Sequence, residues 1–302
     1  MGNSSRAAPP SIVRINYPVP SPPKLRVSAI SFLNTAPLMW DFLHAPRAAE
    51  LSTRYDVHFT LPNHCAAELA SRSADIGLVP VAAYATDPNL IVIPDIAIAS
   101  LNRVRSIILV TQDNRDLEDV NTVALDSTSR TSAALTRVLF YKFIGTRPRY
   151  IEKPPQLDEM LTQADAALLI GDPALLGREE AAQRGWRCHD LADIWRSHTG
   201  LPFVFAFWAM HTDIVSAGAH DPAVITADFQ QSRNAGLQHL DPLLEEWTPR
   251  IPIAPEVIRE YWTGNIYYSL DRECLEGLQL FFYYAAQCDA LPTAPPLRLL
   301  GA

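Results

Sequence analysis

Residues 25–38 read LRVSAISFLNTAPL, a short apolar run followed directly by a polar turn and by Pro37. The run Leu25–Ile30 is typical of a buried strand, and Pro37–Leu43 predicts a short helix because proline favours the first helical turn. The same order of strand, turn and helix recurs along the chain. This alternation indicates βα units and therefore an α/β fold around a largely parallel sheet.

Two sets of these units can be placed by pattern. In the first set we predict strands at Tyr55–Leu61, Asp75–Pro80, Leu90–Ala99 and Ser106–Thr111, and a helix at Cys65–Ser71. In the second set we predict strands at Val123–Asp126, near Tyr150 and at Ala166–Ile170, and helices at Ser132–Phe143, at Leu157–Gln163 and from near Pro173. A returning strand at Phe203–Met210 is followed by predicted helices at Ala223–Gly236, Pro242–Glu246, Pro255–Trp262 and Glu273–Ala286.

The second set lies inside the first, which predicts two α/β lobes. The chain would cross between them twice, near Asn102–Ile107 and near Phe205–Met210. We therefore assign residues 24–105 together with 207–302 to lobe 1, and residues 106–206 to lobe 2. A ligand is expected in the cleft between the lobes, where strand ends and helix N-termini converge.

The first 23 residues contain six prolines and are expected to form a disordered arm. They lack the apolar run of about 7–15 residues that a signal peptide requires. No later stretch offers the roughly 18 consecutive apolar residues of a transmembrane helix. The simplest expectation is a cytoplasmic protein.

Charge and motif content exclude several classes of function. With a formal charge of -8 over 302 residues, the chain is a poor candidate for binding nucleic acid or an anionic membrane. The four cysteines show no CxxC spacing, so no structural metal site is expected. Nucleophile-elbow, zinc-protease and dinucleotide motifs are also absent from the sequence, and no cofactor is predicted.

Two turns after predicted strands carry polar groups suited to a ligand. The first is SFLNTAPL, in which Asn34 and Thr35 are either helix caps or donors to a ligand carboxylate. The second is DSTSRTS, residues 126–132, which gathers hydroxyls at a helix N-terminus. Such a terminus favours an anion, and without the glycines and lysine of a P-loop a carboxylate fits better than a nucleotide phosphate. Simple capping is the alternative, since it needs only one hydroxyl.

Two further turns could border the cleft. After the buried strand Ala166–Ile170 comes Gly171-Asp172-Pro173, where Asp172 either caps the next helix or acts at the ligand. Thr199-Gly200-Leu201-Pro202 precedes the predicted second crossing and could present backbone donors beside the cleft. The eight histidines are scattered, and none falls in the first three turns.

These motifs, taken in series, resemble one known family. SFLNTAPL, ADIGLVPVAAY, LDSTSRTS, ALLIGDPAL and DLADIWRSHTGLPFVFAFWA, with YWTGNIYYSLDRECLEGLQLFFYYA near the end, are similar to the chorismate dehydratases of menaquinone biosynthesis. The resemblance spans about residues 24–287 and implies a type II periplasmic-binding-protein-like fold used for catalysis. It also implies that chorismate, the small-molecule partner, loses water to give 3-[(1-carboxyvinyl)oxy]benzoate in the futalosine route.

The resemblance also implies which residues act. Asn34 and Ser106 correspond to an asparagine and a serine that act at the ligand in this family. We predict substrate contacts from the four turns: Ser31, Thr35, Ser127, Thr128, Ser129, Arg130, Thr131, Ser132, Gly171, Asp172, Gly200, Leu201 and Pro202. For the base we hypothesise the substrate's own side-chain carboxylate. A non-catalytic carboxylate-binding protein or sensor, and the sister 1,4-dihydroxy-6-naphthoate synthase, are the alternative functions.

Overall fold

Two five-stranded sheets form the frame of the protein, seen in a computed structural model that describes residues 22–112, 115–216 and 218–301. The strands are β1 (Leu25–Ile30), β2 (Tyr55–Thr60), β3 (Ile76–Pro80), β4 (Leu90–Ser100), β5 (Ile107–Thr111), β6 (Thr122–Asp126), β7 (Arg149–Lys153), β8 (Ala166–Ile170), β9 (Arg187–Asp190) and β10 (Phe203–His211). The predictions for β1 and β8 are confirmed residue for residue. Most of the predicted proline-rich arm, residues 1–21, lies outside the described residues.

The two sheets share one design. Their orders are β2-β1-β3-β10-β4 and β7-β6-β8-β5-β9. In each, three strands are parallel and the fourth position holds a strand that runs antiparallel to both of its neighbours. Four of the five strands in each sheet therefore run in the same direction, so the predicted largely parallel sheet is found as two mixed sheets, each with one reversed strand. The antiparallel strands are β5 and β10, the first strands after each crossing, and they enter their sheets from the opposite direction.

The second crossing lies earlier in the chain than predicted. The pairing of β10 with β4 already begins at Phe203, opposite Ser100, so all of β10 belongs to the first sheet. The crossing therefore occupies residues 200–202 rather than Phe205–Met210, and a lobe boundary at residue 206 would cut this strand. The reason is that all nine residues of β10 are buried, so its apolar run does not mark where one lobe ends. The other predicted lobe limits stay a prediction.

Helices cover both faces of the two sheets. They are α1 (Trp40–Leu43), α2 (Arg47–Leu51), α3 (Pro62–Ala70), α4 (Val81–Tyr84), α5 (Arg130–Leu139), α6 (Leu157–Leu161), α7 (Gly171–Gln183), α8 (Leu191–Thr199), α9 (Thr212–Ser216), α10 (Pro222–Gln238), α11 (Leu240–Trp247), α12 (Pro255–Glu260) and α13 (Arg272–Gln287). Short 3₁₀ helices lie at Leu33–Met39 and Leu117–Asp119, and π-helical turns at Phe140–Ile144 and Tyr261–Asn265. The predicted helix Pro255–Trp262 thus ends at Glu260.

All nine residues of β10 lie in the core. Trp208 of this strand packs edge-on against Phe229 of α10, with ring centroids 4.8 Å apart. Helix α13 approaches the second crossing so closely that a Cβ at Gly277 would lie 2.3 Å from the carbonyl oxygen of Pro202. Within the described ranges, no helix has both the length and the apolar character needed to cross a membrane.

Candidate active site

A small cavity of about 50 Å³ lies between the two sheets, and we call it the interlobe cavity. It is bordered by the ends of β1, β3, β8 and by the start of β5. Five of the predicted site residues line it: Asn34, Ser129, Thr131, Ser132 and Gly171. The structure therefore brings together the first loop, the hydroxyl loop and the Gly-Asp-Pro turn, which lie far apart in the sequence.

The hydroxyl loop, residues 126–132, is organised by its own side chains. Ser129 caps α5 by accepting a hydrogen bond from the Ser132 N–H at 3.1 Å, and Asp126 accepts two bonds from Thr128. Thr131 reaches the other lobe, where its hydroxyl accepts from the N–H of Ala82 at 3.1 Å. Among the described residues the Ser132 hydroxyl makes no hydrogen bond. The loop thus provides a cap, a link between lobes and a hydroxyl at the cavity.

The first loop is held by distant residues instead. Asp172 Oδ1 accepts a hydrogen bond from the Leu33 N–H at 3.0 Å, across the boundary between the lobes. The indole of Trp262 donates to the Leu33 carbonyl at 2.8 Å, and the Tyr268 hydroxyl donates to the Asn34 carbonyl at 2.9 Å. With its backbone fixed in this way, Asn34 lines the interlobe cavity.

Asp172 does not cap α7, contrary to the capping alternative. The helix begins at Gly171, and the preceding residue, Ile170, makes no side-chain cap. The carboxylate of Asp172 instead accepts the hydrogen bond from the Leu33 N–H on the other lobe. Burial raises the pKa of Asp172 to about 6, and the bond from Leu33 opposes this rise. Asp172 is therefore a carboxylate that can hold a proton close to neutral pH.

Ser106 lies just behind the cavity wall, one residue before Ile107. The hydroxyl of Tyr261 donates to its Oγ at 2.7 Å, and the Gly171 N–H donates to its carbonyl at 2.8 Å. The preceding residue, Arg105, has a φ of +67°, a left-handed conformation that costs a non-glycine residue about 1–3 kcal/mol. Its N–H donates to Asp190 at 2.7 Å, and this bond helps to hold the turn.

Tyr261 begins a segment that contacts both predicted catalytic positions. Its side chain is fully buried, and burial raises its pKa above the usual range. The hydrogen bond with Ser106 opposes that rise. The phenol is consequently neutral and protonated at ordinary pH. Its hydroxyl thus holds Ser106, while Trp262 and Tyr268 of the same segment hold the backbone of the first loop.

Several predicted site residues lie elsewhere. Ser31 and Thr35 line a second cavity of about 400 Å³, which we call the outer cavity. Phe32 borders both cavities and separates them. The ring of Phe32 packs on Gly171, where an added Cβ would lie only 2.4 Å from Cδ2 of the ring. Only glycine fits there, since its φ is +60° as well.

The remaining predicted residues are not brought to the interlobe cavity. Ser127 and Arg130 are exposed, and Thr128 is committed to Asp126. The Gly200-Leu201-Pro202 turn packs at the crossing, with Gly200 ending α8 and the Pro202 carbonyl accepting from Trp195. No ligand role for these residues follows from their positions.

Sequence reasoning missed Tyr261, Trp262 and Tyr268. The available signal is the aromatic cluster YWTGNIYY, residues 261–268, whose first two residues end the predicted helix Pro255–Trp262. It forms a π-helical turn closed by a bond from the Ile266 N–H to the Tyr261 carbonyl at 3.0 Å. Such turns occur frequently at functional sites.

Comparison with known proteins identifies the family. A family model described as menaquinone biosynthesis matches residues 25–287. This chain belongs to the menaquinone biosynthesis family. A chorismate dehydratase of Thermus thermophilus is 30% identical over 247 residues, covering 74% of this chain and 83% of that protein. As a member of this family, the protein is an enzyme of menaquinone biosynthesis that resembles the chorismate dehydratases.

Solved structures of other proteins show the same overall fold. The aliphatic sulphonate binding protein SsuA of Escherichia coli superposes with a TM-score of 0.62 at 17% identity, covering 93% of this chain and 95% of that one. A Candida albicans protein described as having the generic periplasmic binding protein fold gives 0.63 at 14% identity, covering 89% and 91%. The expected periplasmic-binding-protein-like fold with two α/β lobes is confirmed.

Proposed function

We propose that this enzyme is a chorismate dehydratase, which converts chorismate to 3-[(1-carboxyvinyl)oxy]benzoate in the futalosine route to menaquinone. The observation that carries the proposal is the convergence of Asn34, Ser106 and the hydroxyl loop on one interlobe site. The similarity to a chorismate dehydratase over 247 residues also supports the proposal.

The site suits a dicarboxylate held by neutral donors. Most side chains that line the interlobe cavity are apolar, and the polar ones are three hydroxyls and a carboxamide, with neither lysine nor arginine among the lining residues. The N-terminus of α5, a helix of 10 residues, points its partial positive charge at the same place. Local dipoles can therefore bind a small dianion in a protein whose net charge is -8.

The reaction is an elimination of water from the cyclohexadiene ring. A base removes the C3 proton, and the electron pair of the C3–H bond becomes part of the ring π system as the C4–O bond breaks. The departing hydroxide takes a proton and leaves as water. Aromatisation drives the step, so the enzyme must orient the substrate, stabilise developing charge and manage two protons.

The base is either the side-chain carboxylate of the substrate or Asp172. The substrate carboxylate remains our hypothesis for this role. Asp172 is the competitor, since burial gives it a pKa of about 6, although one of its oxygens is committed to the Leu33 N–H. Retention of most of the wild-type rate by Asp172→Asn would favour the substrate carboxylate.

Substrate entry requires the lobes to separate. Ligand cavities usually measure about 300–1,000 Å³, far more than the roughly 50 Å³ of the interlobe cavity. The bonds that opening must break include Leu33 to Asp172 and Ala82 to Thr131. We propose hinge opening at the two crossings, as two-lobed binding folds allow.

Turnover of purified protein tests the function directly. Chorismate consumption would be followed by ultraviolet absorbance, and the product identified by mass spectrometry. We expect turnover without added cofactor, and losses of at least about 100-fold in Asn34→Ala and Ser106→Ala. Asn121→Ala and Ser197→Ala, at exposed positions, are the matched controls and should retain the wild-type rate.

Other outcomes would identify the alternatives. Tight chorismate binding without turnover would indicate a binding protein or sensor. Conversion of a cyclic futalosine derivative, with chorismate left unchanged, would indicate the sister naphthoate synthase. Near-wild-type rates in both Asn34→Ala and Ser106→Ala would contradict the assignment of these residues.

A further inference from the structure

We infer that Tyr261 is a positioning residue, which orients the Ser106 hydroxyl and links it to the first loop that carries Asn34. The inference rests on the proposed function, because its effect is measured on chorismate. It adds a residue from the closing segment of the chain to a site whose other members come from three earlier turns.

The first argument is the geometry of the buried hydroxyl groups. Tyr261 is 0% exposed and Ser106 is 1% exposed, and their oxygens are 2.7 Å apart. The phenol has a single proton, which it donates to Ser106 Oγ. The Ser106 proton is then directed away from Tyr261, because two hydroxyls cannot donate to each other at once.

The second argument concerns the segment that begins at Tyr261. The indole of Trp262 donates to the Leu33 carbonyl at 2.8 Å, and the Tyr268 hydroxyl donates to the Asn34 carbonyl at 2.9 Å. The same segment therefore holds the first loop as well as the serine.

The third argument is how Tyr261 is itself held. The π-helical turn begins at this residue, and the next residue, Trp262, anchors the Leu33 carbonyl. A phenol fixed between two such anchors has little freedom to move. Because burial keeps the phenol neutral, it contributes by orientation and does not exchange a proton with the substrate.

Tyr261→Phe is the direct test, since it removes one oxygen and keeps the ring. We expect kcat to fall about 10-fold to 100-fold while KM changes less than about 3-fold. The ratio of wild-type to variant kcat should stay constant between pH 6 and 9, because the phenol does not ionise there. A kcat equal to that of the wild type would overturn the inference.

Tyr55→Phe is the matched control. This tyrosine is also buried and donates to Asp228 at 3.0 Å, but it lies at the start of β2, far from the interlobe cavity. It should lower the thermal unfolding temperature without changing kcat. If Tyr55→Phe lowers kcat as much as Tyr261→Phe does, the effect is general destabilisation and the inference fails.

A double-mutant cycle separates positioning from a merely structural role. We expect Ser106→Ala to lower kcat much less in the Tyr261→Phe background than in the wild type, since the hydrogen bond between the two residues is already lost there. If Tyr261→Phe does not fold, the cycle of Asn34→Ala with Ser106→Ala replaces it, and strictly multiplicative losses would contradict the coupling.

The proposed function and the inference fail in different ways. If the wild-type protein binds chorismate without converting it, the proposed function is wrong, and the same double-mutant cycles are then measured on the Kd for chorismate. Coupling between the effects of the two substitutions on Kd would still support the role of Tyr261, and additive effects on the binding free energy would contradict it. If the wild-type protein neither binds nor converts chorismate, both the proposed function and the inference about Tyr261 are wrong.

Discussion

The first loop and the hydroxyl loop occupy equivalent positions in the two lobes but are stabilised in different ways. The hydroxyl loop is held mainly by neighbours within three residues, such as the Ser129 cap and the bonds from Thr128 to Asp126. The first loop depends on Asp172 and on Trp262, which are 139 and 229 positions from Leu33. Local stabilisation can be recognised in a sequence, whereas stabilisation by distant residues becomes visible only in the folded chain.

Gly171→Ala should give the largest effect, because it breaks the contact between the first loop and lobe 2. The new Cβ would lie 2.4 Å from the Phe32 ring, at a φ of +60°. We expect the free energy of unfolding to fall by about 4 kcal/mol, combining overpacking with the left-handed conformation. Urea unfolding measured at equilibrium checks this value.

Gly185→Ala is the control for Gly171→Ala. Gly185 follows the end of the same helix, α7, with a φ of +69°, but an added Cβ would meet no atom within 4 Å. It should cost only about 1 kcal/mol, the conformational part of the effect. Equal losses in the two variants would show that the Phe32 contact contributes nothing.

Asp172→Asn should give the next largest effect on the free energy of unfolding, and this effect should depend on pH. Burial raises the pKa of Asp172 from 3.8 to about 6 in the folded protein. A raised carboxyl pKa means that its stability contribution is full below about pH 4 and is lost as the pH rises through about 6. The change from 3.8 to about 6 corresponds to about 3 kcal/mol.

The comparison with Asn cancels the other carboxyl groups of the protein. Asn keeps an oxygen for the Leu33 N–H and cannot ionise, so Asp172→Asn should gain stability over the wild type between pH 4 and 7. Thermal unfolding of both proteins at several pH values measures this difference. A difference that stays constant with pH would mean that the carboxyl titrates normally and that the first loop does not bury it.

The same contrast explains what the sequence could predict. Both ends of β1 and of β8 can be predicted, because each run of apolar residues stops at a polar or glycine turn. The position of Asn34 and the hydroxyl loop at one cleft can also be predicted, because strand ends meet there. By contrast, nothing near Tyr261 in the sequence indicates Ser106, which is 155 positions away. The direction of β10 also depends on the chain's path through the other lobe.

Substitutions of Ser129 should have the smallest effect on stability, and they distinguish capping from ligand binding in the hydroxyl loop. Ser129→Ala removes the cap of α5 and should cost about 1 kcal/mol in unfolding free energy. Ser129→Asp keeps a cap, so its stability should stay within about 0.5 kcal/mol of the wild type, but it adds a carboxylate to the cavity wall. We expect the KM for chorismate to rise at least about 10-fold in Ser129→Asp through charge repulsion, and less than about 3-fold in Ser129→Ala. If both variants change KM equally, the loop acts on the substrate only through the stability of α5.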